Sequence, residues 1–204
     1  MKVLFVCTGN TCRSPMAEAL MKHQSPKMPV QSAGIFAGKN SRANHHTIEA
    51  LKQKGITLDH LSQPVTEKLL HWADLVITMT TQHKQSLIME HPNLQDKYYT
   101  LKEYVSDTDK QIWDELKKAN ADLEEKRSSF VQRNQHKLDN NVLAEKLRDH
   151  LQDDLDNIRG LEANLINYDI SDPFGGDFST YEKTLRELEN YIDLLLEKIE
   201  RHER

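Results

Sequence analysis

A nine-residue stretch near the start of the chain, CTGNTCRSP at 7–15, constrains the fold more than any other part of the sequence. It follows the apolar run VLFV, which is typical of a strand buried on both faces of a parallel sheet. Gly9 and Asn10 favour a tight loop, and the residues that follow predict a helix with Ser14 as its N-cap and Pro15 in its first position. We therefore expect the chain to begin with a strand, a short loop and a helix.

A loop of this kind is suited to bind an anion, because several backbone N–H groups and the positive end of a helix dipole point to one place. Arg13 adds a planar guanidinium that matches two phosphate oxygens. Such an environment stabilises the thiolate of Cys7, to which Ser14 can donate its hydroxyl. The pattern predicts attack of sulfur on phosphorus and a phosphocysteine intermediate. The remaining residues of the predicted phosphate-binding loop are Thr8, Gly9, Asn10, Thr11 and Cys12.

This reaction also requires an acid for the leaving group and then a base for water. The stretch SDPFGG supplies Asp172, and Pro173 with the two glycines suits a shaped loop. We predict that Asp172 performs both tasks. An ordinary Asp-Pro turn is the alternative interpretation.

The pattern along the chain predicts strands that alternate with helices. Strands are expected at 3–7, 30–34, 74–79 and 98–101, with a last helix from about 180 to 202. The fold class expected is α/β, a three-layer sandwich around a four-stranded parallel sheet. No apolar run approaches the roughly 20 residues that cross a bilayer.

A charged segment at 107–169 interrupts this alternation. It holds 15 acidic and 10 basic residues, and its apolar residues recur at steps of three, four and seven, with Asp154 as the polar exception. The spacing predicts two antiparallel helices of about 25 residues with a turn at 138–141, a coiled-coil-like hairpin inserted into a domain formed by 1–106 and 170–204. A partly disordered charged insert is the alternative. The apolar positions are Ile112, Leu116, Ala119, Leu123, Phe130, Ala144, Leu147, Leu151, Ile158, Leu161, Leu165 and Tyr168.

Composition excludes several classes of function. The net charge of −5 argues against a nucleic-acid partner, and we expect no membrane partner. The chain has only two cysteines, too few for a disulfide framework and without the partners of a zinc site. The first apolar stretch is too short for a signal peptide and no run is long enough to cross a bilayer, so we expect a cytoplasmic protein. The histidines have no metal-ligand spacing, and we expect neither metal nor cofactor.

The combined motifs resemble the low-molecular-weight protein tyrosine phosphatase family, whose signature is C-x5-R-[ST] near the N-terminus and an Asp-Pro pair near the C-terminus. The matching residues are Cys7, Arg13, Ser14, Asp172 and Pro173. The resemblance covers 1–106 and 170–204, while the 107–169 segment is absent from the usual family pattern. It implies a cysteine-dependent phosphatase acting on phosphorylated proteins.

The resemblance also assigns roles to residues that would otherwise pass as ordinary loop positions. It implies that Asn10 holds the phosphate loop in shape with Ser32 as its partner, and that Phe36 and Phe174 form cleft walls, unless both simply pack on the core. Cys12 is either a passive loop residue or the partner of Cys7 in a reversible protective disulfide.

The family contains tyrosine phosphatases, a protein-arginine-phosphatase branch and arsenate reductases. Arsenate reductases need further cysteines, which this chain lacks. Thr11 and the DPFGG stretch match the arginine branch, so the resemblance implies phosphoarginine as substrate, with phosphotyrosine as the alternative. A remoter alternative is a phosphate-binding scaffold that acts through its helical arm. The 107–169 segment is expected to contact a protein partner or a second copy of the chain.

Overall fold

The computed structural model divides the chain into two compact units. It describes residues 1–106, 109–135, 139–163 and 167–202. The first unit comprises Met1–Val105 and Tyr168–Arg204, and the second comprises Ser106–Asn167.

The first unit is built on a parallel sheet, which confirms the predicted α/β class. Within the described residues the sheet has four strands in the order β2-β1-β3-β4. The strands are β1 Val3–Cys7, β2 Val30–Gly34, β3 Leu75–Thr78 and β4 Tyr98–Thr100. Val3 pairs with Val30 on one side and with Leu75 on the other, so β1 is an inner strand.

Helices connect the strands, as βαβ crossovers require. Those of the described residues are α1 Arg13–Gln24, α2 His45–Gln53, α3 Glu67–Trp72, α4 Thr81–Glu90, α5 Leu101–Val105, α6 Asp109–Asn134, α7 Asn140–Ala163 and α8 Phe178–His202, with a 3₁₀ helix at Pro92–Lys97. Among the described residues, no helix is both long enough and apolar enough to span a membrane.

Two hydrophobic cores lie on opposite faces of the sheet. Because side chains alternate along a strand, Val3 and Phe5 of β1 join the core with α1 and α8, while Leu4 and Val6 join the core with α3 and α4. All four side chains are fully buried. Each contributes on the order of 1.5–3 kcal/mol by burial, which fixes the strand that ends at Cys7.

The start of α1 differs from the prediction. The helix begins at Arg13, with Cys12 as N-cap and no side-chain capping bond, whereas Ser14 was expected as the cap. Ser14 lies inside the first turn with its side chain fully buried. Its hydroxyl is directed to Cys7 and Asn10 instead of to the helix backbone, because the preceding loop folds over the helix start.

The second unit contains α6 and α7. Leu116, Leu151 and Ile158 are buried between the two helices, while Ala144 is exposed. Asp154 forms an ion pair with Lys126 at 2.5 Å. Leu165 and part of the expected turn at 138–141 lie outside the described residues.

The boundary of this unit differs slightly from the expected 107–169. Tyr168 and Asp169 belong to the first unit, because this segment is hydrogen-bonded to the end of β3 and the start of α4. Asp169 accepts a hydrogen bond from the backbone N–H of Thr81 at 2.7 Å, and the N–H of Ile170 donates to Met79 at 2.8 Å.

Candidate active site

The loop after β1 lies where the chain changes direction across the sheet. From β1 the chain crosses first to β2 on one side and later to β3 on the other, so the carboxyl ends of β1 and β3 border a crevice. The backbone of the loop is anchored to the chain after β2: the N–H of Ile35 donates to Cys7 O, and that of Phe36 to Thr8 O, both at 2.9 Å.

Gly34 allows this close approach. A Cβ atom at this position would lie 2.6 Å from the carbonyl oxygen of Thr8 and 2.8 Å from the backbone nitrogen of Asn10. Both distances are shorter than van der Waals contact, and both atoms belong to the backbone. The glycine is therefore required by the packing of the loop against β2, a role that the sequence alone did not indicate.

Cys7 is the last residue of β1, and its side chain is buried. Its Sγ atom lies 3.0 Å from the Oγ of Ser14. Because Ser14 belongs to the first turn of α1, this contact places the sulfur near the N-terminus of the helix, where the helix dipole is positive. The Ser14 hydroxyl is also 3.4 Å from the carbonyl oxygen of Ala33, and it can donate to the sulfur when Cys7 is a thiolate.

Asn10 organises the loop from inside. Its side chain is fully buried, and its φ of 53° lies in the left-handed region that asparagine tolerates better than most residues. Its Nδ2 donates to Ser32 Oγ at 2.8 Å and to Ser14 Oγ at 3.0 Å, while Oδ1 accepts from the N–H of Gln63 at 2.9 Å. The structure thus brings the expected pair Asn10 and Ser32 together.

Two further side chains complete this support. His60 Nε2 lies 2.9 Å from the carbonyl oxygen of Asn10, which can only accept, so Nε2 carries the hydrogen. Ser32 in turn donates to Glu18 at 2.5 Å, and the same Glu18 oxygen lies 3.9 Å from His60 Nδ1. His60, Gln63 and Glu18 were absent from the sequence prediction, since no local pattern marks them.

Arg13 and Asp172 meet at the loop. One guanidinium nitrogen of Arg13 donates to Asp172 Oδ2 at 2.8 Å, and the other lies 3.4 Å from the carbonyl oxygen of Ile170. The Arg13 side chain is 5% exposed, and that of Asp172 is 51% exposed. The guanidinium is therefore fixed, whereas the carboxylate stands at the solvent boundary and accepts a further hydrogen bond from the N–H of Phe174 at 3.2 Å.

The segment that carries Asp172 is tied to α5 and α8. Glu187 accepts hydrogen bonds from the N–H and Oγ of Ser171 at 3.2 and 2.6 Å, and it forms an ion pair with Lys102 at 2.7 Å. Lys102 also donates to the carbonyl oxygen of Asp169. Burial alone would raise the pKa of Glu187, but the contacts with Lys102 and Ser171 outweigh it and lower that pKa.

On the other side of the loop, His83 contacts Thr8. Its Nε2 lies 2.8 Å from Thr8 Oγ1, and its Nδ1 lies 2.9 Å from the Oγ1 of Thr80, the N-cap of α4. Burial, reinforced by the positive charge of Arg13, lowers the pKa of His83 to about 4. The imidazole is consequently neutral near pH 7. The sequence prediction did not include His83.

Cys12 and Thr11 lie at the helix side of the pocket. The Sγ of Cys12 is 3.7 Å from the hydroxyl of Tyr181 and 3.6 Å from Thr11 Oγ1. Burial raises the pKa of Tyr181, and the contact with Cys12 adds to the effect, so the phenol stays protonated. Both cysteines are free thiols.

A pocket of about 230 Å³ opens above these groups. Asn10, Ser14 and Ser32 lie behind it as support. Phe174 lines the pocket and is 75% exposed, whereas Phe36, which is 77% exposed, is not among the lining residues. Across the described residues, no group of His, Cys, Asp and Glu has the arrangement of a metal site. The lining residues are Cys7, Thr8, Gly9, Thr11, Cys12, Arg13, Asp172 and Phe174.

The chain is similar in sequence to known phosphatases. A protein-arginine-phosphatase of Bacillus subtilis is 52% identical over 110 residues, which cover 52% of this chain and 73% of the relative. A low molecular weight protein-tyrosine-phosphatase of Staphylococcus aureus, PtpB, is 43% identical over 107 residues, covering 52% of this chain and 76% of the relative.

A solved structure extends the similarity to nearly the whole chain. It is that of the YwlE arginine phosphatase, as a cysteine-to-serine mutant with a phosphorylated active-site serine. It is 34% identical, covers 98% of this chain and 96% of that chain, and superposes with a TM-score of 0.68. The family model described as low molecular weight phosphotyrosine protein phosphatase matches residues 2–148. The chain belongs to the low molecular weight phosphotyrosine protein phosphatase family.

Proposed function

We propose that this protein is a cysteine-dependent phosphatase that removes phosphate from phosphoarginine in proteins, through a phosphocysteine intermediate. The observation that carries the proposal is the meeting of Cys7, Arg13 and Asp172 in one pocket, with the Ser14 hydroxyl 3.0 Å from the sulfur. These are a nucleophile, an anion-binding group and a proton donor and acceptor, which together suffice for phosphoryl transfer through a covalent intermediate.

In the first step the Cys7 thiolate attacks phosphorus. The S–P bond forms and the P–N bond to the guanidino group breaks, while Asp172 gives its proton to the departing nitrogen. The backbone N–H groups of the loop and the Arg13 guanidinium hold the phosphate oxygens, so that charge is stabilised where it develops. Phosphate takes over the contact that Arg13 now makes with Asp172, and the half-exposed carboxyl is freed to exchange protons with water.

In the second step water hydrolyses the phosphocysteine. Asp172, now a carboxylate, accepts a proton from water as its oxygen attacks phosphorus and the S–P bond breaks. The products are inorganic phosphate and the Cys7 thiolate, to which Ser14 donates its hydroxyl. The phosphorylated active-site serine in the related YwlE structure supports a covalent phosphoenzyme at this position.

Thr11 supports phosphoarginine over phosphotyrosine. It lines the pocket, where its hydroxyl can accept a hydrogen bond from a guanidino N–H. A larger apolar side chain there would leave that donor unsatisfied, a penalty of about 1–3 kcal/mol. The relatives support the same choice, since the arginine phosphatase is 52% identical and the tyrosine phosphatase 43% identical over similar lengths.

The test is hydrolysis of matched phosphoarginine and phosphotyrosine peptides by the native protein and by Thr11→Val and Thr11→Ile. Valine removes the hydroxyl at constant volume, and isoleucine also adds a methylene. We expect kcat/KM for phosphoarginine to fall about tenfold with valine and further with isoleucine, while that for phosphotyrosine is unchanged or rises. Cys7→Ser is the inactive control. A native preference for phosphotyrosine would assign the protein to that substrate instead.

We also propose that the α6–α7 hairpin is a recognition arm for a protein partner or a second copy of the chain. Its exposed faces are strongly charged, and the 107–169 segment holds five more acidic than basic residues. Replacing Ser106–Asn167, the second unit alone, by a short Gly/Ser bridge should leave hydrolysis of a small phosphate ester unchanged and reduce turnover of phosphorylated proteins. Equal loss on both substrates would assign the hairpin to stability. We place the enzyme in the cytoplasm, where reducing conditions keep a nucleophilic cysteine such as Cys7 in the thiol form that the proposed reaction uses.

A further inference from the structure

His83 and Thr8 form a pair at the edge of the pocket that the reaction described above does not use. Thr8 lines the pocket, whereas His83 is buried behind it, with an exposed fraction of 8%. The imidazole lies between two hydroxyls, those of Thr8 and Thr80, at 2.8 and 2.9 Å. Each hydroxyl has one hydrogen, so the tautomer of His83 decides where the Thr8 hydrogen can point.

With hydrogen on Nε2, the ring donates to Thr8, and Nδ1 accepts the hydroxyl hydrogen of Thr80. The Thr8 hydrogen then remains free for an acceptor in the pocket. With hydrogen on Nδ1, Thr8 must donate to the ring, and its lone pairs face the phosphate oxygens. Thr80 also accepts the backbone N–H of His83 at 3.2 Å.

Counting donors and acceptors favours the first arrangement. In the described part of the chain, the Thr80 hydroxyl has no other hydrogen-bond acceptor than His83 Nδ1. In the second tautomer the hydroxyl hydrogen of Thr80 would have to point to solvent. The lone pairs of the Thr8 oxygen would then face the phosphate oxygens and repel them. In the first tautomer every hydrogen has a partner as soon as phosphate occupies the pocket.

We infer that His83 is a positioning residue that donates from Nε2 to Thr8 and thereby makes the Thr8 hydroxyl a hydrogen-bond donor to the phosphate of the bound substrate. The inference rests on the proposed function, because it assigns a donor to the same phosphate-binding pocket. The neutral state of the ring agrees with it: burial and Arg13 disfavour the imidazolium, while Asp172 and Asp169 favour it less strongly. The pair holds one hydroxyl in the orientation that a phosphate oxygen requires, before substrate enters.

The kinetic test is a double-mutant cycle with Thr8→Val and His83→Leu, read as kcat/KM on a phosphoarginine peptide and on p-nitrophenyl phosphate. Each single variant removes or misdirects a hydrogen bond to a charged phosphate oxygen, so its kcat/KM should fall about tenfold or more on both substrates. The inhibition constant of inorganic phosphate should rise by a similar factor. The double variant should be no worse than the poorer single variant. Losses that multiply would overturn the inference.

His83→Gln separates positioning from packing, and it also serves if His83→Leu does not fold. The glutamine amide can donate to Thr8 from about the position of Nε2, so its kcat/KM should lie within about threefold of native. Activity as low as that of His83→Leu would show that the ring acts only as a filler. His71→Gln is the matched control, since His71 is exposed on α3.

A spectroscopic measurement tests the tautomer without relying on turnover. In the ¹⁵N spectrum of the native protein saturated with inorganic phosphate, the His83 ring, assigned by its loss in His83→Gln, should carry its hydrogen on Nε2. Hydrogen on Nδ1 would refute the inference even if the enzyme is active. Failure of the native protein to hydrolyse either phosphorylated substrate would refute the proposed function and leave this measurement to decide the tautomer.

Discussion

Replacement of Asn10 should destabilise the protein by an amount that can be worked out from its contacts. The side chain makes three hydrogen bonds: two buried ones donated from Nδ2 and a partly buried one accepted by Oδ1. At about 1 kcal/mol for each, Asn10→Gly should lower the free energy of unfolding by about 3 kcal/mol. Asn10→Ala should cost about 1 kcal/mol more, because alanine is strained at a φ of 53°.

The assay is guanidinium unfolding at neutral pH, together with kcat/KM on a phosphorylated peptide. Asn40 provides a matched control, since it has a φ of 60° but is exposed and belongs to no comparable network in the described structure. Asn40→Ala should cost about 1 kcal/mol and leave activity unchanged. The reasoning is refuted if Asn10→Gly unfolds at the native midpoint, or if it is destabilised yet fully active, since the loop would then keep its shape without these bonds.

Two further predictions concern the supports of the site. Gly34→Ala should lower activity at least tenfold while the protein stays folded, because its Cβ would displace the carbonyl of Thr8; a crystal structure with an unmoved loop would contradict this. Glu187→Gln should lower kcat more than KM, because Glu187 binds Ser171 and Lys102 and so holds the segment that carries Asp172. The same substitution should also make the protein lose less stability as the pH falls. The pKa of Glu187 is lower in the folded state than in the unfolded chain, so its stabilising contribution is present at neutral pH and is lost as the pH falls through the folded-state pKa. Identical acid-unfolding curves for the variant and the native protein would exclude this contribution of Glu187.

The sequence by itself determined the local elements of this protein. The apolar run before Cys7, the loop residues and the following helix lie within one short stretch, where backbone preference and hydrophobic spacing act between near neighbours. The same holds for the α/β class, since alternating strand and helix patterns leave few topologies. The spacing of Cys7 and Arg13 was sufficient to predict an anion-binding loop, because a strand followed by a helix places both at one point.

Tertiary structure decided what supports that loop. Asp172 lies 159 residues from Arg13 along the chain, and only the folded sheet brings its carboxylate to the guanidinium at 2.8 Å. His83 and Glu187 are ordinary helix residues by pattern, and their roles arise from the crossovers that place α4 and α8 beside the site. The N-cap was predicted wrongly at Ser14 for the same reason: a local rule assigns the hydroxyl to its own helix, whereas the fold directs it to the sulfur of Cys7. Contacts between residues far apart in sequence depend on how whole elements pack, and no local pattern contains that information.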